Sequence, residues 1–180
     1  MFKNFDISSF KKLKPPGDNT FDTMQEVKAL NKIPLDKDFV KRYDNIENAF
    51  KQTAKEQDVK DYDKKVAAKL IKDSAPVIIE LKKHFNRPRP KVTAKKMNVK
   101  MKDIEMASMK TASYPSGHSA QGVLISKVLS DKYPKAKSAF LKTGENISYS
   151  RSVARAHYKS DTKMGEKLGN SMYKHIKNKI

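Results

Sequence analysis

A histidine and an aspartate stand four residues apart in the last quarter of the chain, where they could form a catalytic pair. His157 and Asp161 can reach each other across one helical turn. An aspartate bound to one ring nitrogen fixes the histidine tautomer and leaves the other nitrogen free to act as a nucleophile. Arg151, earlier in the same segment, would face the charge that develops on an attacked phosphorus atom. Alternatively, the spacing describes a surface pair worth a few tenths of a kcal/mol.

A second segment, residues 82–90, places two cations where both could bind one anion. Lys82 lies in the last turn of a predicted helix, and Arg89 lies in the extended chain that Pro88 and Pro90 impose. An ammonium and a guanidinium could therefore converge on a single oxyanion. Alternatively, the cations only stabilise the C-terminus of the helix, and the prolines end it.

The third segment, residues 114–118, reads Tyr-Pro-Ser-Gly-His and directly precedes an apolar helix. Backbone N–H groups at a helix N-terminus are unpaired and can bind an anion. Ser116 can add a hydroxyl donor, and Gly117 allows a ligand to approach the backbone closely. His118 could donate a proton to a leaving oxygen. The other interpretation is a serine-capped helix followed by an incidental histidine.

Charge is distributed very unevenly along the chain. The formal net charge is +19, and residues 82–180 hold 23 basic but only 6 acidic side chains. Such a field attracts phosphorylated small molecules, nucleic acid or an acidic surface. Lysine supplies 34 of the 39 basic residues, yet four of the five arginines lie in two of the three segments. The planar guanidinium of arginine is well suited to bind an oxyanion, which fits Arg89 and Arg151. We assign the other two arginines of these segments, Arg87 and Arg155, to the surface or to a supporting position.

Composition excludes several classes of protein. The chain of 180 residues has no cysteine, so disulfides, thiolate metal sites and a cysteine nucleophile are excluded. No apolar run approaches the ~20 residues of a transmembrane helix, and the N-terminus has no signal-peptide pattern. We therefore expect a soluble, cytoplasmic protein, with a viral gene as one source to consider.

Apolar residues recur at helical spacing and no strand pair is apparent, so we predict an all-α, single-domain helical bundle. Asp36 and Ser160 are expected to cap helices, and Pro76 is expected to kink or restart one. Gly165 and Gly169, four residues apart, would allow two helices to approach closely.

Together the three segments read Lys-x6-Arg-Pro, Pro-Ser-Gly-His and Ser-Arg-x5-His-x3-Asp, joined by connections of 24 and 31 residues. This order resembles the type 2 phosphatidic acid phosphatase superfamily, which includes the bacterial class A acid phosphatases and the vanadium haloperoxidases. The resemblance implies a phosphatase core over residues 58–180. Residues 21–57 would form N-terminal helices that pack on this core, and residues 1–20 an irregular arm. The basic, Met-rich residues 91–112 are expected to form a short surface helix, or a lid.

The resemblance also implies a role for each motif residue. His157 would attack phosphorus and form a phosphohistidine, oriented by Asp161, while His118 would protonate the leaving group. No metal or other cofactor is implied, although phosphate or vanadate would fit the pocket. The residues expected to bind the phosphate oxygens are Lys82, Arg89, Ser116, Gly117 and Arg151.

Three functions therefore remain open at this point. The leading hypothesis is a metal-independent phosphatase that hydrolyses phosphomonoesters of small molecules, such as nucleotides or diphosphates. A vanadium-dependent haloperoxidase would use the same pocket. A protein of a different class, structural or binding nucleic acid through its basic surface, could retain the pocket without using it. An oligomer is compatible with each of these.

Overall fold

The computed structural model describes residues 1–178, and their regular secondary structure is entirely helical, which confirms the predicted all-α fold. The α-helices are α1 (Ile7–Lys11), α2 (Phe21–Asn31), α3 (Lys37–Asp44), α4 (Ile46–Glu56), α5 (Lys64–Phe85), α6 (Pro90–Lys96), α7 (Gly117–Lys132), α8 (Lys137–Val153) and α9 (Lys159–Ile176). Short 3₁₀ turns lie at Ala107–Lys110 and Pro134–Ala136. None of the helices in residues 1–178 combines the length and the apolar character needed to cross a membrane.

Helix α7 forms the centre of the bundle, because it packs against α8, α9 and α5. Its inward residues, among them Leu124, Ile125 and Leu129, are fully buried and belong to the main hydrophobic core. Burying such side chains contributes roughly 1.5–3 kcal/mol each. Since α7 begins immediately after the Pro-Ser-Gly segment, this packing holds one of the three motif segments in place.

Two glycines on α9 allow its backbone to touch that of α7, as predicted. A Cβ atom added to Gly165 would lie 2.4 Å from the Ser116 carbonyl oxygen, and one added to Gly169 would lie 2.3 Å from that of Ala120. Neither distance is sterically allowed, and a backbone carbonyl, unlike a flexible side chain, cannot rotate away from the clash. This close approach places the start of α9 beside the start of α7.

Helix α5 runs unbroken through Pro76, so the predicted restart at this proline is wrong. Ser74 does not cap a new helix; its hydroxyl donates to the Ile71 carbonyl one turn earlier. Proline removes one backbone donor and frees the carbonyl of Lys72. Pro76 and Lys72 are both exposed, so water can hydrate that carbonyl.

The N-terminal segment is not the irregular arm that its sequence predicts. Residues 7–11 form α1, which Asp6 caps by accepting hydrogen bonds from Ser8 N and Ser9 N. Phe2 and Phe10 are buried in the main core, and α1 packs against α5. The three phenylalanines of this segment therefore anchor it to the bundle.

Two helix caps were predicted from local sequence, and the structure confirms one of them. Asp36 caps α3 as predicted. Ser160, however, lies inside α9, which begins after Tyr158. Both the N–H and the hydroxyl of Ser160 donate to Glu26 of α2. A distant carboxylate thus caps α9, and the local sequence gives no sign of it.

Replacing Gly169 with alanine tests the close approach of α7 and α9. The added methyl group meets backbone, so Gly169→Ala should lower the free energy of unfolding by about 2 kcal/mol, despite alanine's higher helix propensity. Urea denaturation measures this loss. Lys167→Ala, on the exposed face of the same helix, is the control and should change stability by less than about 0.5 kcal/mol. Equal effects of the two substitutions would refute the packing argument.

Candidate active site

Five of the predicted site residues line a single cavity of about 240 Å³ between α5, α7 and the loops around them. They are Lys82, Arg89, Gly117, His118 and His157. Three segments that are far apart in sequence therefore meet at one place. The other three predicted residues, Ser116, Arg151 and Asp161, do not line the cavity; each is fully buried, and Asp161 bonds to His157.

His157 is held in one orientation by a hydrogen bond on each ring nitrogen. Its Nδ1 lies 3.2 Å from Asp161 Oδ2, and its Nε2 lies 3.0 Å from Arg89 Nη1. A guanidinium can only donate, so Nε2 carries the lone pair and Nδ1–H donates to the aspartate. Burial, followed by the charges of Arg89 and Lys82, lowers the pKa of His157 to about 3, although Asp161 opposes this. The ring is therefore neutral near pH 7, and it lines the cavity with its Nε2 lone pair bonded to Arg89.

Asp161 is a fully buried carboxylate with four donors around it. Arg87 Nη1 lies 2.7 Å from Oδ1. Oδ2 accepts from the Ser113 hydroxyl, from His157 and from Tyr158 N. Burial alone would raise the pKa of this carboxyl, but the hydrogen bond from His157 and the charge of Arg87 outweigh it and lower the pKa. Asp161 is therefore ionised and can accept the hydrogen bond that His157 Nδ1–H donates.

Arg87 has the supporting position that was one of the two expected for it. It is 2% exposed and lies between Asp161, Glu26 and Ser160. Its guanidinium also stacks over the Tyr158 ring at 3.8 Å. The concentration of arginine in the motif segments pointed to this residue, but not to its partners.

His118 is oriented by a residue from outside the three segments. Its Nε2 lies 2.8 Å from the Asp44 carbonyl oxygen, which can only accept, so Nε2 carries a proton. The Asp44 carboxylate is 3.7 Å from the same nitrogen. Burial and the charge of Arg151 lower the pKa of His118 to about 4, while Asp44 opposes the shift. The ring is thus neutral near pH 7 when no ligand is bound.

Arg151 is also bound by Asp44. Its Nη1 donates to Asp44 Oδ1 at 2.9 Å, and its Nε donates to the Ser150 hydroxyl. Nη2 is buried and has no hydrogen-bond partner within residues 1–178. An unpartnered buried guanidinium nitrogen costs about 1–3 kcal/mol, so this donor requires an acceptor that a ligand could supply. Asp44 has no recognisable motif around it, and sequence reasoning missed it.

Ser116 caps α7, as its sequence position indicates. Its Oγ accepts from Ser119 N at 3.2 Å, and the Ser119 hydroxyl lies 2.9 Å away. Gly117, the first residue of α7, lines the cavity, and an added Cβ would lie 3.3 Å from Ile78. The start of α7 therefore offers a free backbone N–H at the cavity, whereas the Ser116 side chain is fully buried.

Backbone carbonyls, most of them in the connection between α6 and α7, fix the two cations of residues 82–90. Arg89 donates to the carbonyls of Ser108, Thr111 and Ala156, and Lys82 Nζ lies 2.5 Å from that of Ala112. Residues 108–112 therefore form one wall of the cavity, while the predicted short helix is α6, at 90–96.

Both cations have lowered pKa values for the same reason. Burial, and then the neighbouring Arg89 charge, lowers the pKa of Lys82 to about 7. Burial likewise lowers the pKa of Arg89 to about 10. Arg89 thus stays charged near neutral pH, and Lys82 changes its charge there. Within the described chain, no three His, Asp or Glu side chains are grouped so as to hold a metal ion.

Comparisons with known proteins agree with this geometry. The sequence model of the PAP2 superfamily matches residues 67–176. A non-specific acid phosphatase of Salmonella typhimurium is 35% identical over 88 residues, which are 49% of this chain and 35% of that protein. A non-specific acid phosphatase of Salmonella typhi is 34% identical over 88 residues, with the same coverage. The match thus spans about a third of each relative.

Replacing Arg87 tests whether the buried ion pair supports the site. Arg87→Met leaves Asp161 and Glu26 without their shared cation, so we expect the free energy of unfolding to fall by about 3 kcal/mol. Arg42→Met breaks a more exposed pair with Glu56 and should cost less than about 1 kcal/mol. Urea denaturation of both variants gives the comparison. Similar losses would show that the Arg87 pair has no special structural role.

Proposed function

The chain belongs to the PAP2 superfamily, and on that premise we propose that it is a phosphatase that hydrolyses phosphate monoesters of small molecules through a phosphohistidine at His157. One observation carries the proposal: a neutral histidine with a fixed tautomer lines a cavity together with two cations, and one of them, Arg89, donates to its Nε2 lone pair. A phosphate oxygen that accepts from Arg89 in place of Nε2 leaves that lone pair free to react. The two relatives are non-specific acid phosphatases, which supports the same class of reaction.

Anion binding is the first requirement, and the cavity has the donors for it. Lys82 and Arg89 line it, and the buried Nη2 of Arg151 lacks an acceptor. The backbone N–H of Gly117, at the start of α7, adds a donor with the helix dipole behind it. Fixed cations of this kind can neutralise a transferring phosphoryl group, the role that a divalent ion has in many other phosphatases, so we propose that hydrolysis needs no metal.

Phosphoryl transfer then proceeds in two displacements. His157 Nε2 attacks phosphorus, the bond from phosphorus to the ester oxygen breaks, and His118 gives a proton to that oxygen. Water next attacks the phosphohistidine, His118 takes its proton, and the nitrogen–phosphorus bond breaks to release inorganic phosphate. Throughout, Asp161 accepts the hydrogen bond from His157 Nδ1–H and stabilises the positive charge that the His157 ring acquires.

His118 can act as the acid because the substrate changes its surroundings. In the free protein, burial first, and then the positive charges of Arg151 and Lys82, disfavour protonation of His118, and only Asp44 opposes them. A phosphate dianion between these cations cancels their effect and raises the pKa of His118. The proton donor is therefore charged mainly when substrate is bound.

Lys82 gives anion binding a distinct pH dependence. Since its pKa is about 7 in the free protein, it is charged below that pH and neutral above it. The dissociation constant for sulfate, whose charge is constant in this range, should rise about tenfold between pH 6 and pH 8. Calorimetric titration measures it.

Matched variants isolate the contribution of Lys82. Lys82→Arg keeps its charge across this range and should flatten the profile, whereas Lys83→Arg, on the neighbouring exposed residue, should not. A wild-type sulfate affinity that is independent of pH would contradict the assignment of Lys82.

Hydrolysis of p-nitrophenyl phosphate in EDTA tests the proposed function itself. Wild-type protein should turn over this ester, and His157→Ala should reduce kcat at least about a thousandfold, since the nucleophile is lost. His84→Ala, which removes an exposed histidine on α5, is the control and should retain full activity. No hydrolysis by the wild type from acidic to alkaline pH would refute the proposal, as would full activity in His157→Ala.

A further inference from the structure

One polar residue of the cavity takes no part in the reaction proposed above. Gln121 lines the cavity on α7, one turn after His118. Because His118 would protonate the leaving oxygen, the rest of the leaving group must lie on this side of the cavity. Residues one turn apart on a helix are neighbours on its surface, so Gln121 faces the atoms next to the ester oxygen.

The amide of Gln121 is oriented by its hydrogen bonds. Its Nε2 lies 3.2 Å from the Ile71 carbonyl oxygen and 3.2 Å from Ser74 Oγ, both on α5. A carbonyl oxygen cannot donate, so nitrogen must occupy that side of the amide and Oε1 the other. Within residues 1–178, no donor lies within hydrogen-bond distance of Oε1, and the side chain is only partly buried. Gln121 thus presents an acceptor that is fixed in direction and open to a ligand.

The walls around this acceptor are apolar. Ala75, Ile78 and Ile79 of α5 line the same cavity. A leaving group that fits here combines C–H surface with a hydroxyl donor close to the ester carbon. Polyols, including sugars, have this chemistry, whereas simple alkyl groups lack the donor.

We infer that Gln121 determines substrate specificity by accepting a hydrogen bond from a hydroxyl group of the leaving group, so that phosphate monoesters of small polyols are preferred. The inference rests on the proposed phosphatase function and adds a substrate class to it. The cavity is open to water, which can replace a missing donor, so the preference is moderate, about tenfold.

Glycerol 1-phosphate and propyl phosphate are a suitable pair of probes, because they share a three-carbon leaving group and differ in its hydroxyls. In the wild type, we expect kcat/KM for glycerol 1-phosphate to exceed that for propyl phosphate about tenfold. Gln121→Met has a similar volume and no strong acceptor, and should bring the ratio to about one or two. Gln121→Leu is a second variant with the same expectation.

Gln52→Met is the control, since Gln52 is exposed on α4 and bonds only to Glu56. It should keep the wild-type ratio. The readout is a ratio of two activities of one preparation, so partial unfolding of a variant does not imitate the effect. An unchanged ratio in both Gln121 variants, with both esters hydrolysed, would overturn the specificity role while leaving the phosphatase function intact. Failure of the wild type to hydrolyse either ester would overturn both.

Discussion

The buried carboxylate of Asp161 is the interaction on which the rest of the site depends. An ionised carboxylate without water is strongly unfavourable unless donors surround it, and Asp161 has four: Arg87, Ser113, His157 and Tyr158 N. These donors come from three separate segments, so stabilising one charge requires all three to meet. The backbone contributes as well, because Asp161 O accepts from Ser116 N and joins the start of α9 to the start of α7. The same set of bonds that stabilises the fold therefore orients His157, the proposed nucleophile.

Residues outside the family match complete the site. Glu26 of α2 shares Arg87 with Asp161 and caps α9, and Asp44 of α3 contacts both His118 and Arg151. Both residues precede the matched residues 67–176. The N-terminal helices thus supply the second layer of charges behind the motif residues. Asp44 accepts from Nη1 of Arg151, while Nη2 is buried and has no hydrogen-bond partner within residues 1–178.

Local patterns were enough to predict the helical class and the cap at Asp36, because each depends on neighbours in sequence. The spacing of Gly165 and Gly169 predicted a close approach of two helices, but not the helix that they contact. Asp44 and the cap that Glu26 provides to α9 were missed, and the position of Arg87 was left open, for one physical reason. Their partners lie between 61 and 134 residues away in sequence, and no local pattern reports such distances. The motif spacings identified five residues that the structure brings to one cavity, whereas the charges beside them are a product of tertiary packing.

The identity of the phosphorylated atom tests the central claim most directly. Protein quenched in alkali during turnover, where phosphohistidine survives, can be digested and its phosphopeptide located by mass spectrometry and 31P NMR. The tautomer fixed by Asp161 and Arg89 predicts a single product, phosphorylated on Nε2 of His157. Phosphate on Nδ1, phosphate on another residue, or turnover with no protein-bound phosphate in the first catalytic cycle would contradict the account.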